Sequence, residues 1–171
     1  YYRDCNMTVS LVTCVTNAGG MGPGHSCIDI NGTIYSFQGI DYGGNNSAWV
    51  QNARAKYLGE NTHRPVIFQT LSSAVADGNV LRYILASIAD DDDYATSGVC
   101  SSQAANAIEA GYAGSFNTWG LDTPYDIYDL AKKKNMVNSE SFYWPGESGC
   151  NFMVRGSIVA TLVYMGAGRH V

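Results

Sequence analysis

Asn31-Gly32 stands between two short runs of alternating residues, His25 to Ile30 and Thr33 to Gln38. A two-residue hairpin turn of type I′ needs positive φ at both central positions, and Asn and Gly tolerate that best. A slip of one residue would turn every side chain to the wrong face, so the turn sets a register as well as an element. Ile30 then opposes Thr33, Ile28 opposes Tyr35, Cys27 opposes Ser36 and His25 opposes Gln38. Directly opposed residues project to the same face, with Cβ atoms about 5 Å apart. His25, Cys27, Asp29, Ile34, Ser36 and Gln38 therefore share one face. Ser26, Ile28, Ile30, Tyr35 and Phe37 share the other, more apolar one. An amide beside an imidazole can fix its tautomer and ring angle.

The second constraint is Cys100, in Gly98-Val99-Cys100-Ser101-Ser102-Gln103-Ala104-Ala105-Asn106-Ala107-Ile108. An Asp-, Tyr-, Ser- and Gly-rich loop ends at Val99 and good helix formers follow at once. The first turn of a helix carries unpaired N–H groups and the positive end of the macrodipole, so a thiolate is stabilised there and its pKa is expected to fall. The thiolate is the form that attacks a carbonyl carbon, which makes Cys100 a candidate nucleophile. Ala104, Ala107 and Ile108 lie on the same helical stripe, so that stripe faces a core. Packing it against the hairpin is expected to bring Cys100 to His25, and a Cys–His pair with a third, orienting group is what nucleophilic acyl chemistry requires.

The remaining segments surround these two. Residues 7 to 16 are β-branched and read as a strand, and Pro65 to Thr70 as another. Ser47 to Tyr57 reads as a short helix. Asp77 to Ala89 is a helix with Val80, Leu81, Ile84, Leu85 and Ile88 on one face. Thr123-Pro124-Tyr125-Asp126 opens a further helix with a capping hydroxyl, Pro at the first position and an acid in the first turn. Lys132-Lys133-Lys134 closes it, where cations suit the dipole. Phe152 to Met165 supplies one or two final strands. Strands flanking grouped helices predict an α+β fold with a mostly antiparallel sheet packed on helices, in one domain over residues 1–171.

Composition excludes several classes. A net charge of −5 argues against a nucleic-acid surface, which needs a basic stripe. No apolar run reaches the roughly 20 residues of a membrane span. The absence of an initiator Met and of a signal peptide reads as a chain excised from a longer polypeptide. The cysteines Cys5, Cys14, Cys27, Cys100 and Cys150 are odd in number, so at least one is free or pairs outside the chain. Which of the others pair is open at this level. Cys14, His25 and Cys27 lack a chelating spacing, and Asp90 to Asp93 lacks the spacing and glycine of a calcium loop, so no metal and no cofactor is expected.

The run Gly24-His25-Ser26-Cys27-Ile28-Asp29-Ile30-Asn31-Gly32-Thr33-Ile34-Tyr35-Ser36-Phe37, with Cys100-Ser101-Ser102 opening a later helix, resembles the circularly permuted papain-like (NlpC-type) cysteine peptidases and amidases. In the permuted order the histidine precedes the cysteine, as here. The resemblance spans roughly residues 22 to 112. It implies a permuted papain-like fold, His25 as base and Cys100 as nucleophile. Gln38 is the orienting residue favoured by hairpin register, with Ser36 the runner-up; many relatives have His, Asn or Asp there. It implies hydrolysis of amide bonds in peptidoglycan stem peptides by a secreted antibacterial effector. Such an effector acts in the periplasm of a target cell and is countered by an immunity protein in the producer. Two other readings stand beside it. One is a thioesterase or acyltransferase on the same fold. The other is a non-catalytic glycan-binding module using the Tyr- and Asn-rich loops at residues 39 to 57 and 112 to 128.

Overall fold

A computed structural model describes residues 7–15, 24–38, 48–61, 64–90, 92, 99–116, 123–143 and 151–152. In chain order the elements are β1 (Val9–Cys14), β2 (His25–Ile30), β3 (Thr33–Phe37), β4 (Trp49–Ala53), α1 (Arg54–Glu60), β5 (Val66–Leu71), α2 (Asp77–Ala89), α3 (Cys100–Gly111), α4 (Pro124–Lys133), β6 (Val137–Tyr143) and the two-residue β7 (Asn151–Phe152). The fold is α+β. One antiparallel sheet runs in the order β4-β3-β2-β1-β5-β6-β7, so the wholly buried β1 lies at its centre.

The turn between β2 and β3 has positive φ at Asn31 (51°) and Gly32 (86°), as a type I′ turn demands. The ladder pairs Ile30 with Thr33, Ile28 with Tyr35 and Cys27 with Ser36. Asp29 ties the turn to the next layer. Its carboxylate is fully buried, accepts the Gly32 N–H at 2.9 Å, and takes a bidentate Arg54 at 2.5 and 2.7 Å. A buried carboxylate left without that partner would be costly, so the pair fixes where α1 begins.

The two faces of the sheet pack differently. Val9, Leu11, Ile28, Ile30 and Phe37 meet Val80 and Ile84 of α2, Ala104, Ala107 and Ile108 of α3, and Ile127 and Ala131 of α4. On the opposite face Val12, Cys14, Cys27, Ile34, Val66 and Phe68 gather around Tyr57 of α1. α3 therefore covers the Ile28 and Ile30 face, not the face that carries His25. The reason is area: the alanine stripe of α3 matches the apolar side of the hairpin, where burial returns roughly 25 cal/mol per Å².

One other expectation is corrected and one strand is added. Ser47 to Tyr57 is not one helix; Trp49–Ala53 pairs with β3 and only Arg54 onward turns helical. Trp49 is held as a strand residue by edge-to-face contact with Phe37 (5.2 Å between centroids) and by its indole N–H on Ser87 Oγ at 2.7 Å. β6 has no counterpart in the sequence reading, because Asn138, Ser139, Glu140 and Ser141 hide the strand signal; its pairing with β5 makes it. α4 starts as read: Thr123 Oγ1 accepts the Asp126 N–H while Asp126 accepts the Thr123 N–H, a reciprocal cap. The strand reading for Phe152 to Met165 lies, past Phe152, outside the described residues.

Candidate functional site

Gly24, at φ +82°, leads into β2, and a Cβ there would stand 2.6 Å from the Cys14 carbonyl oxygen. Only glycine lets the chain approach β1 so closely, and this approach delivers His25 as the first residue of β2. In the ladder His25 opposes Cys14, and Ser26 opposes Thr13. The imidazole Nε2 lies 2.6 Å from Ser36 Oγ on β3. Gln38 Nε2 donates to the same oxygen at 2.7 Å. The imidazole is thus touched by Ser36, and Gln38 acts one bond further out. The local reason is that the β2–β3 ladder ends at the pair Cys27 and Ser36, and β3 itself ends at Phe37, so Gln38 holds no ladder position opposite His25. A hydroxyl oxygen can accept two bonds, so Ser36 can take both the amide and an Nε2–H. That arrangement leaves Nδ1 as the basic nitrogen.

Cys100 opens α3, 8% exposed. Val99 at the N-cap has no side-chain acceptor for the first-turn N–H groups; Ser102 Oγ instead takes the Val99 N–H at 2.8 Å. The backbone N–H groups of Ser26, Ser101 and Cys100 itself lie close enough to the sulfur to favour its thiolate. The Ser26 N–H belongs to the peptide that joins it to His25. Cys100 therefore sits against the chain at the His25–Ser26 link, reaching the end of β2 from the helix side of the sheet. Thr13 Oγ1 and Ser26 Oγ, opposed in the ladder, are buried without a hydrogen-bond partner among the described residues.

The electrostatics differ from the helix-dipole expectation. Burial pushes the Cys100 thiol above its ordinary pKa, and the backbone N–H groups of Ser26, Ser101 and Cys100 pull it back only in part. The loss of water outweighs the dipole. Burial likewise lowers His25 to about 4, with the Arg64 guanidinium adding to the effect. At neutral pH the imidazole is an uncharged base, and the thiol beside its strand is protonated. Neither group is a cause of the other's shift, so transfer of a proton from sulfur to nitrogen needs the imidazole and the thiol to approach each other at the end of β2.

Sequence reasoning missed the second thiol cluster. Cys14 and Cys27, on neighbouring strands, both reach the Tyr57 hydroxyl, at 3.0 and 3.4 Å. The parity of β1 and β2 could have found it, since Cys14 opposite His25 places it on the Cys27 face. Residues 39–47 and 117–122 of the Tyr- and Asn-rich segments lie outside the described residues. Among the described residues no group of three His, Cys, Asp or Glu is arranged to hold a metal ion, and no helix is long and apolar enough to cross a membrane. No family model, curated protein or solved structure matches the chain.

Proposed function

We propose that the chain is a cysteine hydrolase of the permuted papain-like type, with Cys100 as nucleophile and His25 as base. One observation carries this reading: Cys100 opens a 12-residue helix, and the Ser26 N–H, next along the chain from His25, is among the groups that favour its thiolate. Two chemistry-bearing residues far apart in sequence are brought to the same end of β2. His25 takes the thiol proton as sulfur attacks the carbonyl carbon. The tetrahedral oxyanion is held by first-turn N–H groups of α3, the position where preorganised donors contribute most. His25 returns the proton to the leaving amine, and water then releases the acyl group by the same route in reverse. Ser36, backed by Gln38, holds the imidazole in plane.

The substrate class follows from the resemblance: an amide bond in a peptidoglycan stem peptide, cleaved in a target-cell periplasm by a secreted antibacterial effector, with an immunity protein as the producer's safeguard. The test is digestion of purified sacculi, with the released fragments and new amines identified by mass spectrometry. Cys100→Ala is expected to lower hydrolysis at least a thousandfold while leaving the circular dichroism spectrum unchanged. Release of acyl groups from thioesters with no new amine would move the chemistry to acyl transfer. Glycan binding with no cleavage in either protein would make the domain a binding module.

A further inference from the structure

The face of the sheet turned away from α2, α3 and α4 holds two free thiols that the proposed hydrolysis does not use. Cys14 ends β1 and Cys27 lies inside β2; the ladder sets Cys27 opposite Val12, two residues from Cys14. Both thiols are buried, at 0% and 1% exposure. They share one hydroxyl, that of Tyr57. The Cys27 thiol donates to Tyr57 Oη at 3.4 Å, which leaves the Tyr57 O–H to donate to the Cys14 sulfur at 3.0 Å. A donor aimed at a sulfur favours its thiolate, so the arrangement makes the two cysteines unequal. The neighbouring Cys27 thiol, the Arg64 charge and the Tyr57 hydroxyl lower the Cys14 pKa against its burial, while burial raises that of Cys27.

We propose that Cys14 and Cys27 form a peroxide-reactive dithiol, a modification site distinct from Cys100, that closes to a disulfide across β1 and β2. The Cys14 thiolate attacks one oxygen of hydrogen peroxide; the O–O bond breaks, and the departing hydroxide takes up the thiol's proton as water. Cys14 becomes a sulfenic acid. The Cys27 sulfur then attacks Cys14, the S–O bond breaks, and a second water leaves with the Cys27 proton. The two thiols together lose two electrons and the peroxide gains them. Diagonal strand neighbours stand about 7–8 Å apart at Cα, beyond the usual disulfide range of about 4.4–6.8 Å. Closure therefore draws the strand ends together, beside the position where Cys14 faces His25. A bridge under such strain is readily reduced, as reversible bridges are.

The experiment uses the full chain, reduced, treated with hydrogen peroxide, then denatured in N-ethylmaleimide and mapped by mass spectrometry. The expected product is a Cys14–Cys27 cross-linked peptide with both thiols lost to maleimide, regained after dithiothreitol. In Cys27→Ala, Cys14 is expected to stop at the sulfenic acid, trapped by dimedone. Oxidised glutathione, too large for a closed site, is expected to act at least tenfold more slowly than peroxide. The same mapping in a Cys100→Ala background keeps the result independent of hydrolysis. Cys14 and Cys27 both still open to maleimide after Cys100 is oxidised, or a bridge from Cys14 to another cysteine, would overturn the proposal.

Discussion

The two faces of this sheet do different work. The face toward α2, α3 and α4 is built from Leu11, Ile28, Ile30 and Phe37 against alanines and aliphatic side chains, and its interactions are those of a core. The face toward α1 carries His25, Asp29, Ser36, Cys14 and Cys27, nearly all of them withdrawn from water. Alternation along β2 sorts the two sets, because odd-numbered residues are reactive or ionisable and even-numbered ones, Ser26 apart, are aliphatic. Cys100 belongs to a helix on the first face and meets the second only at the end of β2. The lesson is that the helix layer supplies rigidity and one sulfur, while the opposite face supplies the base and its support.

The largest expected effect breaks the α1 face at its anchor. Asp29→Ala removes a fully buried carboxylate whose bidentate partner holds the start of α1, and is expected to cost about 3 kcal/mol of stability. Urea unfolding checks it; a loss under about 1 kcal/mol would mean that α1 is held by its apolar contacts alone. Smaller effects separate the two supports of the imidazole. Ser36→Ala is expected to lower kcat/KM on the order of tenfold to a hundredfold, and Gln38→Ala only a few-fold, because Gln38 reaches His25 through the Ser36 hydroxyl. The reverse ranking would return direct orientation to Gln38. The smallest effect is one of shape. With His25 held down to about 4, the acid limb of kcat/KM is expected near pH 4 and not near the 6.5 of a free imidazole.

The same depression sets a sign for stability. Between pH 6.5 and 4 the unfolded imidazole binds a proton that the folded one refuses, so stability falls as pH falls through that window. His25→Phe is expected to flatten this part of the curve, read from unfolding midpoints at pH 7 and pH 4.5.

The hairpin, α2, α3 and α4 were legible because each carries a local signal strong enough to stand alone: a turn with two positive φ values, a 3.6-residue apolar stripe, a reciprocal cap. β4 and β6 were not, because edge-side strands take their stability from a neighbour's hydrogen bonds, and Asn138 to Ser141 offer no apolar alternation to announce it. The candidate residues His25, Cys100, Ser36 and Gln38 could be named from turn chemistry and helix position. Their order of contact could not, because β3 ends one residue early and passes the hydrogen bond to Ser36. The Cys100 thiol also shows where local reasoning stops: helix position argues for a lowered pKa, and tertiary burial reverses the direction.

The central claim is that His25 serves as base to Cys100, and site-resolved alkylation tests it most directly. The rate of iodoacetamide reaction at Cys100 is followed against pH by mass spectrometry in the native chain and in His25→Ala. A buried thiol of raised pKa reacts slowly at neutral pH unless a base takes its proton. Alkylation that persists from pH 7 down to about pH 5 in the native chain, and slows at least tenfold in His25→Ala, is the expected result. Identical pH profiles in the two proteins would contradict it and leave Cys100 a packed cysteine at the start of α3.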